Sequence, residues 1–63
     1  MKYIQVAKIL KNNGYSLVRT IGSHCQYKKL GSPIITVPRH SSKDLSIGVL
    51  KSIEQKTGLL FTK

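Results

Sequence analysis

The fold turns on one continuous stretch: Tyr15-Ser-Leu-Val-Arg-Thr-Ile21, Gly22-Ser23, His24-Cys-Gln-Tyr-Lys-Lys-Leu30, Gly31-Ser32-Pro33 and Ile34-Ile-Thr-Val37. Three runs rich in β-branched and aromatic residues are separated by two pieces of turn chemistry, which reads as three consecutive antiparallel strands. Pro38 closes the third, because it has no N–H to give to a ladder. Upstream, Tyr3, Val6, Ala7 and Leu10 recur at helical spacing, with Lys2, Gln5, Lys8 and Lys11 on the other side. Ile4 and Ile9 widen that apolar stripe, so the spacing predicts a helix over 2–13. Asn12-Asn13-Gly14 ends it, with Gly14 suited to the left-handed conformation of a helix terminus.

Downstream, Ser46 or Ser42 is placed to cap a second helix whose inward positions are Ile47, Leu50, Ile53 and Thr57. Gly58 ends that helix, and Leu59, Leu60 and Phe61 fold back as the last apolar material. The expected class is α+β in the order α-β-β-β-α, a three-stranded antiparallel sheet with both helices on one face. The other face is left to solvent or to a ligand. This is the plan of a double-stranded-RNA-binding domain.

The 63 residues make one domain, 1–63, with no linker, repeat or low-complexity segment. Cys25 is the only cysteine, so a disulfide scaffold is excluded and a reducing cytoplasm fits best. A membrane span is not expected, since the longest apolar run is three or four residues against the ~20 a span needs. Nor does the N-terminus read as a signal peptide: Lys alternates with apolar residues and there is no h-region. Eleven Lys and Arg stand against Asp44 and Glu54, giving a net charge of +9. That charge is spread along the folded elements, so the natural partner is a polyanion met by a shaped surface.

Two histidines carry the candidate chemistry. If the second turn centres on Gly31-Ser32, facing residues of the second and third strands have numbers summing to about 63 or 64. His24 then lies opposite Arg39 or His40, at the end of the sheet that also holds Gly22 and Ser23. A register error of one residue would move one of these side chains to the other face. Imidazole exchanges protons in both directions near neutrality. RNA carries its own nucleophile, the 2′-hydroxyl beside each phosphodiester. A nuclease of this composition would therefore act on RNA, with His24 as base or acid and Arg39 and lysines around the phosphorane. Two isolated acids cannot build the carboxylate cluster that holds Mg²⁺, and His24-Cys25 alone does not close a zinc site, so no metal or cofactor is expected. Plainer roles stand beside these. Cys25 reads as a small core residue, Lys28-Lys29 as edge charges that discourage strand pairing, and Tyr15 and Tyr27 as packing residues.

Taken in order, Asn13-Gly14-Tyr15, Arg19, Gly22-Ser23-His24, Tyr27, Val37-Pro38-Arg39-His40, Gly48-x-Leu50-x-x-Ile53 and Gly58-Leu59 resemble the HicA family of toxins. The Gly-Ser-His to Pro-x-His spacing, with the following Leu-x-x-Ile helix, is the specific part. Cys25 and Gln26 stand where the family varies, and the second hairpin turn is short. The resemblance implies a type II toxin–antitoxin system, a double-stranded-RNA-binding-like fold, and a ribonuclease toxin (an mRNA interferase) that blocks translation by destroying messages. It places the catalytic histidine at His24. His40 is then either a second proton-transfer group or a residue that orients the substrate phosphate. Arg19, Ser23, Lys28, Lys29, Arg39 and Lys43 are the expected RNA-binding residues, and the expected partners are mRNA and a HicB-type antitoxin that covers the active face. A non-catalytic double-stranded-RNA-binding module is the competing function. Such modules span ~16 base pairs and offer a longer basic helix start than Arg39, Lys43 and their serines provide. A small DNA-binding repressor would need a helix-turn-helix pattern that the sequence lacks.

Overall fold

A computed structural model describes residues 1–39 and 43–61. Helix α1 (Tyr3–Asn12) is followed by strands β1 (Ser16–Ile21), β2 (His24–Lys28) and β3 (Ile35–Pro38), and then by helix α2 (Ile47–Thr57). The strands form one antiparallel sheet in the order β1-β2-β3. The expected α-β-β-β-α architecture is the one observed.

Local chemistry explains the ends of the helices. The Tyr15 N–H donates to the Leu10 carbonyl and the Gly14 N–H to that of Lys11, with Gly14 at φ +91°. This is a Schellman closure, and the accompanying apolar contact is supplied by Leu10 and Tyr15, both in the core. Helix α2 is capped by Ser46, whose hydroxyl accepts from the Val49 N–H at 3.2 Å. The residue before this cap, Leu45, is buried together with Leu50 in the first turn, as in a hydrophobic staple. Leu45 thus takes the inward place expected of Ile47, which is 66% exposed. Leu50 and Ile53 are buried and Thr57 half-buried, as their spacing predicts. Ser42, the other candidate cap, lies outside the described residues.

Val6, Ala7 and Leu10 of α1 and Leu50 and Ile53 of α2 share one core with Cys25, Tyr27, Ile35 and Val37. Phe61 folds back onto this core and Leu59 packs against it, whereas Leu60 is exposed. Ile4 of the first apolar stripe is also turned outward. Both helices therefore cover the same sheet face. The opposite face carries Ser16, Arg19 and Ile21 of β1, His24, Gln26 and Lys28 of β2, and Thr36 and Pro38 of β3.

The register of the second hairpin differs from expectation. His24 pairs with Pro38, Cys25 with Val37, Gln26 with Thr36 and Tyr27 with Ile35, so facing numbers sum to 62. The Ser32 N–H donates to the Lys29 carbonyl and Gly31 has φ +80°, the pattern of a type II turn centred on Leu30-Gly31. Burial independently excludes a sum of 63. Directly opposed residues share a face, so Cys25 and Tyr27 join Ile35 and Val37 in the core only if the sum is even. Leu30, read as strand, is instead the outer corner of the turn and 98% exposed.

Candidate functional site

His24 owes its position to the turn before it. Gly22 has φ +57° and Ser23 does not have positive φ, which fits a two-residue II′ hairpin between the paired residues Ile21 and His24. A Cβ at Gly22 would meet nothing within 4 Å, so glycine is required there by backbone conformation rather than by space. His24 thereby becomes the first residue of β2, exposed, with Ile21 on one flank and Pro38 on the other. The next row of the same face is Arg19, Gln26 and Thr36, and the row after that holds Ser16 and Lys28. Successive rows lie about 7 Å apart, so Arg19 is one row from the imidazole and Lys28 two.

Neither acid lies on that face. The Asp44 carboxylate stands 3.8 Å from the Met1 amino group and 3.4 Å from Lys2 Nζ, at the start of α1. Glu54 Oε2 accepts from the Phe61 N–H at 2.7 Å, on the helix side. Among the described residues no three His, Cys, Asp or Glu side chains come together as a metal site. Among the described residues the open face thus bears cations and no carboxylate, and it can attract a polyanion while presenting an imidazole to it.

The shifted register separates residues that the sequence had placed together. His24 is opposite Pro38, not Arg39 or His40. The Arg39 N–H donates to the Ser23 carbonyl at 2.6 Å, so Ser23, His24 and Arg39 do share one end of the sheet. The Arg39 side chain, however, lies over the Tyr3 ring at 5.9 Å and lines a crevice of about 200 Å³ with Lys2, Tyr3 and Ile4 of the α1 end. Lys29 lies over the Tyr15 ring at 5.4 Å, with its aliphatic stem against Gly14. Of the expected RNA contacts, then, Arg19 and Lys28 share the face of His24, and Ser23 is in the adjoining turn. Arg39 and Lys29 are engaged with aromatic rings, and Lys43 is exposed in the segment before α2 beside Asp44. His40 lies outside the described residues.

Beneath this end of the sheet, the hydroxyls of Tyr3 and Tyr27 share a hydrogen bond. Burial, followed by hydrogen bonding with Cys25 and Tyr27, holds the Tyr3 phenol well above its ordinary value. The pair ties α1 to β2 directly behind the open face. No helix among the described residues is long and apolar enough to cross a membrane.

The sequence profile of the HicA toxin of bacterial toxin–antitoxin systems matches residues 4–59, from the first turn of α1 to just beyond α2. The chain belongs to the HicA toxin family. It is accordingly the toxin of a toxin–antitoxin pair. No curated protein matches the chain.

In this HicA toxin the sheet face also holds residues that sequence reasoning passed over. Gln26 sits between Arg19 and Thr36, and its Oε1 is the one buried side-chain oxygen without a hydrogen-bond partner among the described residues. Such an acceptor is costly to leave unpaired in an interior. Its signal was available: Gln26 is two residues from His24 on a strand and must share its face. Thr36, Ser52 and Lys56 were missed for a different reason. Thr36 comes near His24 through the β2–β3 register, and Ser52 and Lys56 join them only because α2 packs beside β3, where the four line a crevice of about 250 Å³.

Proposed function

We propose that this HicA toxin is a metal-independent endoribonuclease, an mRNA interferase that blocks translation by cutting messages, with His24 as its catalytic residue. The observation that carries this reading is the exposed His24 imidazole on an acid-free sheet face that also bears Arg19 and Lys28. Family membership supports it.

The chemistry is internal transesterification. His24 takes the proton of a ribose 2′-hydroxyl while that oxygen forms a bond to phosphorus. The bond from phosphorus to the 5′-oxygen breaks, and that oxygen leaves with a proton. The products are a 2′,3′-cyclic phosphate and a 5′-hydroxyl end. Arg19 and Lys28 hold neighbouring phosphates and lower the cost of the charge that develops on the phosphorane. His40 is the candidate either for returning the proton to the leaving oxygen or for orienting the phosphate. DNA has no 2′-hydroxyl and is not a substrate in this scheme. A HicB-type antitoxin covers the open face when the toxin is silent, and the pair operates in the cytoplasm.

The test is His24→Ala, assayed for RNA cleavage with chelator present and for growth inhibition in cells. Loss of a general base lowers cleavage by roughly 10²–10⁴-fold. The melting curve should be unchanged, because the ring is exposed. Undiminished cleavage by the variant refutes the catalytic role. Binding without cleavage by the unaltered protein across pH 6–8 would favour a double-stranded-RNA-binding module instead.

A further inference from the structure

The crevice beside His24 has the shape and chemistry of a ligand site. On α2, Val49, Ser52, Ile53 and Lys56 follow one another at helical spacing and form a single stripe facing β3. Across from them stand Ile35, Thr36 and Pro38 of β3, with His24 at the β2 end. Burial divides these residues by depth. Ile35 and Ile53 are almost fully covered and form the floor. Pro38 and Val49 are half-buried walls, while Thr36, Ser52, Lys56 and His24 are exposed at the rim.

The volume is about 250 Å³. Pockets for drug-sized ligands measure roughly 300–1,000 Å³, so this smaller space suits one base or one ribose and not a dinucleotide. An apolar floor and walls match the faces of a base. Two hydroxyls at the rim can donate to or accept from its edge, and an ammonium can meet a phosphate.

We infer that the crevice between β3 and α2 is a single-nucleotide subsite. It seats the base beside the phosphodiester addressed by His24, with Thr36 and Ser52 at the base edge and Lys56 on the adjacent phosphate. The placement of the scissile bond rests on the ribonuclease reading; the subsite itself is a statement about binding.

Titration of isotopically labelled full-length protein with each of the four nucleoside 3′-monophosphates, followed by amide chemical shifts, tests the subsite. Saturable shifts are expected at Thr36, Val49, Ser52 and Lys56. Lys56→Met should weaken binding about tenfold, the effect of one lost charge-assisted hydrogen bond. Ser52→Leu, which fills the crevice from an exposed position, should abolish it. The inference is overturned if no nucleotide shifts these residues, if both variants bind like the parent, or if inorganic phosphate produces the same shifts with equal affinity. RNA cleavage by the unaltered protein is measured in parallel. Cleavage without nucleotide binding removes the subsite alone, and nucleotide binding without cleavage removes the ribonuclease reading alone.

Discussion

Arg19 and Arg39 have equal charge and both lie near the end of the sheet where His24 stands, yet the structure gives them opposite tasks. Arg19 shares the open face with His24, paired across to Gln26. Arg39 is on the helix side, 5.9 Å from the Tyr3 ring. If RNA runs over the open face, Arg19→Ala removes a phosphate contact and Arg39→Ala does not. For a single strand each phosphate contact contributes about −0.7 to the slope of log affinity against log salt. Raising salt fourfold, from ~50 to ~200 mM, therefore weakens the Arg19→Ala variant about 2.6-fold less than the parent. Arg39→Ala should keep the parental slope and instead lose stability, since a cation–π contact of this kind contributes about 0.5–1 kcal/mol. Fluorescence anisotropy with a 2′-O-methyl RNA measures the slope without cleavage, because the internal nucleophile is blocked. Thermal melts of both variants complete the comparison. A slope reduced equally by the two substitutions would refute the division of faces, and an unchanged slope in Arg19→Ala would remove the open face as the RNA path.

Two further outcomes follow from the geometry behind the site. The Tyr3 phenol, raised chiefly by burial and then by its bonds to Cys25 and Tyr27, contributes stability that is complete below the ordinary tyrosine range near pH 10 and is lost as pH rises above it. The decline attributable to this proton is at most about 1.4 kcal/mol per pH unit, and less because the ring is partly solvated. Tyr3→Phe, with Arg39 still above the ring, should flatten melting temperature against pH between about 10 and 11.5 relative to the parent, and parallel curves would show that Tyr3 is not the group responsible. Gly22→Ala forces a side chain into left-handed φ with no clash to relieve, and should cost about 1–2 kcal/mol, or roughly 4–8 °C for each kcal/mol in a domain of this size. Its cleavage should fall more than its stability, because the II′ turn sets the start of β2 and hence His24; full cleavage in a folded variant would show that the turn does not position the ring.

The element order, the Gly14 closure and a serine cap before α2 were legible in the sequence because each rests on residues close together in the chain. The second hairpin was harder. Its turn residues, Gly31-Ser32-Pro33, suggest a centre, but a turn can shift by one residue at little local cost. The decisive constraint is nonlocal: Cys25, Tyr27, Ile35 and Val37 are all buried, so they must be paired odd with odd. That parity rejects a sum of 63; the turn centred on Leu30-Gly31 then selects 62 over 64, so Pro38 falls opposite His24, and Arg39, the next residue, turns to the helices. The same reasoning exposes Ile47. Periodicity within α2 permits either Ile47 or the residue before the cap to face inward, and the staple between Leu45 and Leu50 decides it.

What no pattern within a single element contains is the meeting of Lys56 and Ser52 with His24, which are joined through the packing of α2 against β3. A helix stripe of Val49, Ser52, Ile53 and Lys56 reads in isolation as an ordinary half-buried face grading into solvent. Its chemical meaning comes from the neighbour it acquires. In a chain of 63 residues the same two buried isoleucines, Ile35 and Ile53, must serve both as core and as the floor of the crevice. Stability and nucleotide seating are therefore coupled in this toxin. Substitutions at either isoleucine should lower both together, whereas changes at the exposed rim, at Lys56 or Ser52, act on seating with the core intact. That difference in kind is what allows rim variants to test the site where core variants would only test the fold.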